Sequence, residues 1–290
     1  MAKAKSAATD VAVVEKQGIV VASESANLPS YLAGFSGPTG TEDIGVEDVT
    51  VPRLKIGQDM SKEVQSGDVE RGDLFLNVTG STLVPAGERL PFVLLARAKE
   101  YILWRPKKDN GGGILARAKP VQTPDGVRYA WDKPNTTFDV KVEGIVPVKW
   151  HTKTYIDEDG LDQWGSEIPG QKDSKIAATA HHNYVVILPT HDDLIVALSL
   201  SRTAAPKAKD FNAMLKMGKG PLQSRIYTVE TLDDSRDGND FKTYKFLAGG
   251  FVPVEADFKR YEALAASFKT KAYTIDQTDG DDAVEKDERA

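Results

Sequence analysis

Between residues 51 and 273 the large apolar side chains alternate with polar ones in short runs closed by Gly, Pro, Asn or Asp, which leaves few alternatives to a β fold. Successive side chains on a strand point to opposite faces, so each run reads as a half-buried strand. The expected strands span 73–78, 90–96, 100–105, 113–118, 127–131, 138–142, 145–150, 184–188, 194–200, 225–232 and 241–247. Two segments have helical spacing instead. Residues 204–217 place Ala208, Phe211 and Leu215 on one face with Thr203 available as a cap, and residues 254–269 repeat Phe258, Tyr261, Ala265 and Phe268. Many short strands with turn signals between them suggest a mostly β barrel or sandwich carrying two helices. The span is long for one small barrel, so either the loops are large or a second β module is present, with a break near 163–180.

Charge divides the chain more sharply than hydropathy does. The net charge is −6, yet residues 1–50 hold three basic against seven acidic side chains and residues 274–290 hold two against seven. The body, 51–273, is left at +3, so the acid belongs to the ends. Both ends are poor in large apolar residues and are expected to be disordered, the first as an N-terminal segment and the second as an acidic tail.

Within the body, two segments concentrate positive charge. Residues 97–119 carry Arg97, Lys99, Arg105, Lys107, Lys108, Arg117 and Lys119 against Glu100 and Asp109, with Tyr101 and Trp104 among them. Read as strand, flexible Gly-rich tip and strand, the segment supplies cations for phosphates and ring faces for unstacked bases, which a groove for single-stranded nucleic acid requires. Tyr101 shares a face with Leu103, and Trp104 shares the other with Ile102, so alternation alone leaves open whether a given ring is core or surface. Residues 201–225 add Arg202, Lys207, Lys209, Lys216, Lys219 and Arg225 against Asp210 alone. An outer helical face bearing lysines is by itself only a solvated surface.

Other chemistries find little support. Cysteine is absent, which excludes disulfides, thiolate metal sites and cysteine nucleophiles and suits a reducing cytoplasm. The longest apolar runs, such as 19–22 and 185–188, fall far short of the roughly 18 to 20 residues that span a bilayer, so no membrane partner is expected. Lys3 and Lys5 have no apolar stretch behind them, and no secretory signal is expected. Gly111–Gly113 lacks the Lys-Ser/Thr of a phosphate loop. Asp233 to Gly238 begins like a calcium loop, but Tyr244 stands where the bidentate Glu should be, so a turn between strands is expected. His181 and His182 would point to opposite faces of a strand, and neither they nor His151 and His191 show metal-ligand spacing. Asp157-Glu158-Asp159-Gly160 reads as a hairpin loop rather than paired catalytic carboxylates.

Val51-Pro52-Arg53-Leu54-Lys55 with Gly72-Asp73, Tyr101 to Pro106, Leu198 to Thr203 with Lys207-Ala208-Lys209, and Arg225-Ile226-Tyr227-Thr228 together resemble bacteriophage single-stranded DNA-binding proteins of the OB-fold kind. The resemblance spans roughly 50–250 and implies an OB-like β-barrel with a nucleic-acid groove. It also implies an acidic tail that contacts replication or recombination proteins in the host cytoplasm. On this reading Arg97, Lys99, Arg105, Lys107, Lys108, Arg117, Arg202, Lys207, Lys209 and Arg225 contact phosphates, and Tyr101, Trp104 or Tyr227 stack on bases, with no metal, cofactor or catalysis required. The competing readings are a structural or accessory phage protein whose β body assembles with copies of itself and, more weakly, a metal-dependent nuclease.

Overall fold

The computed structural model describes residues 50–106, 112–143, 146–236, 238–270 and 274–275. In chain order the elements begin with Thr50–Val51 (β1), Leu54–Ile56 (β2), the single turn Lys62–Gln65 (α1), Leu74–Leu76 (β3) and Thr82–Val84 (β4). Leu90–Trp104 (β5), Ile114–Thr123 (β6), Gly126–Trp131 (β7), Thr137–Val142 (β8) and Val146–His151 (β9) follow. After the turn Ile156–Asp159 (α2) come Ala178–Leu188 (β10), Leu194–Ser201 (β11), Ala205–Met217 (α3), Arg225–Arg236 (β12) and Asn239–Phe251 (β13). Glu255–Thr270 (α4) and Thr274–Ile275 (β14) close the described chain.

β5 organises the body. One of its edges pairs antiparallel with β10 from Val93 to Leu103, and the path continues β11-β10-β5-β12-β13. Its other edge is shared, by β12 over Leu90–Val93 and by β6 from Tyr101 onward, with β7 beyond β6. The mostly β expectation holds, but the seven-stranded sheet is open: among the described residues β11 and β13 are not hydrogen-bonded to each other. Expected strands 90–96 and 100–105 are one strand, and 184–188 extends back to Ala178. Asp233 to Arg236, expected to form a turn, instead continue β12 and pair with Lys242 to Asn239 of β13.

Three apolar layers hold the sheet. On one face Leu90, Phe92, Leu94, Tyr184, Val186 and Leu198 meet Phe211 of α3 and the small β2-β3-β4 sheet through Leu54, Leu74 and Val84. On the other face Val93, Leu95, Val185 and Ile187 pack under Tyr261, Ala265 and Phe268 of α4. The extension made by β6 and β7 closes over the β8–β9 hairpin around Trp131 and Trp150. There the indole N–H of Trp150 donates to the Glu167 carbonyl at 3.0 Å, anchoring the loop that leads to β10. Where the β12–β13 register shifts, a Cβ on Gly249 would meet the Ile226 carbonyl oxygen at 2.8 Å, so only glycine lets the strands approach.

Three local expectations are corrected. Thr203 does not cap α3, because a 3-10 turn over Arg202–Ala204 leads straight into the helix and puts Ala204 at the cap; Pro206 sits in the first turn, where its missing N–H costs nothing. Asp157 to Gly160 is a helical turn closed by Gly160 in the left-handed region (φ 71°), not a hairpin loop. Thr274 and Ile275, assigned to the acidic tail, pair in parallel with Thr50 and Val51, and Ile275 is buried, so the body reaches Ile275. The remaining terminal residues, 1–49 and 276–290, lie outside the described residues.

Candidate nucleic-acid interface

A β-bulge decides which side chains reach the surface of β5. Val185 pairs with Ala96 and Val186 with Leu94, so Leu95 is an extra residue that shifts the alternation by one. Before it, Leu90, Phe92 and Leu94 face α3; after it, Arg97, Lys99 and Tyr101 do, opposite Tyr184, His182 and Ala180 of β10. Without the bulge Ala96 and Ala98 would occupy that face. Residues 94–100 also have no paired strand on the edge that β12 and β6 share, among the described residues. A recess of about 380 Å³ opens there, lined by Arg97, Leu222 and the α3 residues Asn212, Ala213, Leu215 and Lys216.

Helical spacing puts Lys209, Asn212 and Lys216 on one stripe of α3 beside Arg97. α3 is held there by the Tyr184 hydroxyl, 3.0 Å from Asn212 Oδ1 and 3.2 Å from the Ala208 carbonyl, and by Phe211, fully buried among Phe92, Tyr184, Tyr227 and Phe246. Burial pushes the Tyr184 phenol up to about 12, against the pull of Arg97. His182 reports the local field: burial first, then the charges of Lys99, Arg97 and Lys209, hold its imidazole below the ordinary histidine range. At the far end of this surface Lys99 Nζ donates to Tyr101 Oη at 2.7 Å and lies 4.5 and 5.1 Å from the Tyr101 and Tyr129 ring centres. The two tyrosines meet edge to face at 5.0 Å, and both are half-buried, leaving part of each ring to solvent.

The residues expected to act together therefore separate. Arg97, Lys99, Tyr101 and Lys209 share the α3 face. Trp104, Arg117 and Arg202 belong to the α4 face, where all three surround or influence His181. Lys207 points to the β12–β13 hairpin and pairs with Asp234 at 3.5 Å. Arg225 lies over the Phe251 ring at 4.8 Å. Arg105 follows β5, its backbone N–H bonded to the Gly113 carbonyl at 2.7 Å. Lys107 and Lys108 lie outside the described residues. Tyr227 is corrected outright: only 3 % exposed and stacked on Phe92, it is core and offers no face to a base. Its assignment to the site failed because β12 turns that position inward toward α3. His182, Tyr129 and Lys216 complete the α3 face and were not singled out as contacts, although strand alternation at His182 and the i, i+7 step from Lys209 to Lys216 carried the signal.

The acidic cluster near α2 has structural work. Arg128 binds Asp157 and Glu158 at 2.8 and 2.9 Å, and Asp159 accepts the Trp131 indole N–H at 2.7 Å. His151 and His191 lie 3.0 Å from the hydroxyls of Thr137 and Thr190. Among the described residues no group of three or more potential ligands could hold a metal ion, and no helix is long and apolar enough to cross a membrane.

Fold and site define a β protein with an open central sheet and a cation-rich face. The chain belongs to the Pam3 phage gp34-like protein family, whose model matches residues 22–274. A bacteriophage origin thus agrees with the resemblance noted in the sequence. No curated protein and no solved structure matches it.

Proposed function

We propose that the protein binds single-stranded DNA along the α3 face without sequence preference, in the replication or recombination of phage DNA. One observation carries the reading: Arg97 and Lys99 of β5 stand on the sheet face that α3 covers, with Lys209 on the α3 stripe that runs beside Arg97, and Lys99 reaches the partly open Tyr101–Tyr129 pair. Converged cations repel one another unless a polyanion neutralises them, and release of counterions then drives association. Aromatic faces next to them give bases a sequence-tolerant platform. The strand would run from the recess at Arg97, past Lys99, toward the two tyrosines. It is held by binding alone, and no chemical step is assigned to the protein.

An electrophoretic shift with labelled oligonucleotide, with and without magnesium, tests the reading. Retention of intact oligonucleotide under both conditions is expected. Absence of any shift at low salt would overturn it in favour of a structural role, and magnesium-dependent shortening of the oligonucleotide would point to a nuclease.

A further inference from the structure

The α4 face of the same sheet holds a second polar site, and nothing in the α3-face groove uses it. His181 is 5 % exposed; its Nδ1 lies 3.4 Å from Ser199 Oγ, while its Nε2 is shielded from solvent with no hydrogen-bond partner among the described residues. Arg53 Nε, Trp104 Nε1 and Asn183 Oδ1 share that condition. The Trp104 and His181 rings lie 6.1 Å apart, and Asn183 is two residues from His181 on the same face of β10. Burial is the main cause that lowers His181, and the charges of Arg53, Arg202 and Arg117 follow. Arg53 is fixed at its main chain, its N–H bonded to Asn77 Oδ1 at 2.6 Å and its carbonyl accepting the Asn77 N–H at 3.0 Å. Glu100 is the carboxylate within the site; it accepts from Arg117 at 3.2 and 3.3 Å and from Asn183 Nδ2 at 2.8 Å.

A shielded donor or acceptor without a partner is costly, and native proteins seldom leave several side by side. Here an unpartnered indole N–H and an unpartnered imidazole nitrogen belong to neighbouring rings, and the charge of Arg53, whose Nε–H is also unpartnered, reaches that imidazole together with those of Arg202 and Arg117. An oxyanion satisfies such a set, and phosphate, with its several acceptor oxygens, matches the number of donors. The lone orphan acceptor, Asn183 Oδ1, suits a phosphate that carries a proton, as inorganic phosphate does at neutral pH and as a phosphomonoester does below its second pKa of about 6 or on taking up a proton in the site, whereas a phosphodiester does not.

We propose that the polar cluster around His181, with Arg53, Trp104 and Asn183, binds inorganic phosphate or the terminal phosphate of a phosphomonoester. The site faces away from the proposed DNA groove and stands or falls independently of it.

The test is a titration of the full-length, ¹⁵N-labelled protein with inorganic phosphate against chloride at matched ionic strength. It is followed at the Trp104 indole N–H resonance, assigned by its loss in Trp104→Phe. A saturable shift specific to phosphate is expected. Thymidine 5′-monophosphate should reproduce it, whereas the dinucleoside phosphodiester of thymidine should not. Arg53→Gln should weaken phosphate about tenfold, the scale of one charge-assisted hydrogen bond. Should Arg53→Gln fail to fold, Trp104→Phe decides instead: it keeps an aromatic ring, removes the N–H and should weaken phosphate several-fold in protein that unfolds cooperatively, read at the His181 imidazole resonances. Lys99→Ala, on the opposite face, should leave the phosphate titration unchanged while lowering oligonucleotide affinity. An indole shift that chloride produces equally, or equal binding of the phosphodiester, would overturn the proposal.

Discussion

Tyr101 and Tyr227 make opposite predictions from the same residue type. Tyr101 meets solvent beside Lys99, so Tyr101→Ala should weaken oligonucleotide binding by about 1–3 kcal/mol, the range for one base–aromatic stack. Tyr227 is sealed against Phe92 and Phe211, so Tyr227→Phe should leave affinity unchanged in a fluorescence anisotropy titration. Loss of affinity in Tyr227→Phe with none in Tyr101→Ala would move the interface off the α3 face. His181 governs a different property. Its folded-state pKa is lowered from 6.5 to about 3, so the unfolded chain takes up a proton first as pH falls. The stability it contributes is complete above the unfolded value and is lost progressively toward the folded one. From pH 6.5 to 5 that loss is about 2 kcal/mol. Urea midpoints at pH 7 and 5 should show the decline in the natural protein and a smaller one in His181→Gln. Equal declines would mean that His181 is not buried in its neutral form.

At the scale of elements, α3 and the β5 bulge together make the groove. Phe211 fixes the helix, and Phe211→Ala should cost about 3–5 kcal/mol of stability by thermal or urea unfolding, since its fully buried ring packs on four others. A loss below about 1 kcal/mol would mean that α3 is not clamped to the sheet. The apolar face of α3 was legible because Ala208, Phe211 and Leu215 recur at helical spacing, and most strands were legible from their alternation. β5 was broken in two because the bulge at Leu95 changes the phase of that alternation, and a change of phase looks like a strand end when the pairing partner is unseen. The same bulge hid the site. A sequence shows that Tyr101 and Trp104 lie on opposite faces, but only the pairing with β10 shows that Arg97, Lys99 and Tyr101 align with α3 while Trp104 joins His181. Strands of two or three residues, such as β1 and β14, carry too few positions to display a period at all.

Across the whole molecule the charge division sets how the ends and the body interact. Residues 276–290 carry seven acidic and two basic side chains, and the body from 51 to 273 is net +3. A tethered anionic segment competes with DNA at high effective concentration, so removing it should tighten oligonucleotide binding at low salt, with the difference fading as screening grows. The deletion should begin at Asp276, because one from Thr274 would remove β14 and its pairing with β1. Equal affinity of both forms at low salt would leave the tail no part in binding. The central claim, a polyanion lying on the α3 face, is tested most directly by the salt dependence of oligonucleotide binding. The anisotropy titration is repeated over a series of salt concentrations for the natural protein and for the variant with Arg97, Lys99 and Lys209 all changed to alanine. Each phosphate contact contributes about −0.7 to the slope of log affinity against log salt, so the variant should lose about 2 from the magnitude of the slope together with most of its low-salt affinity. An identical slope and affinity in the two proteins would contradict the claim.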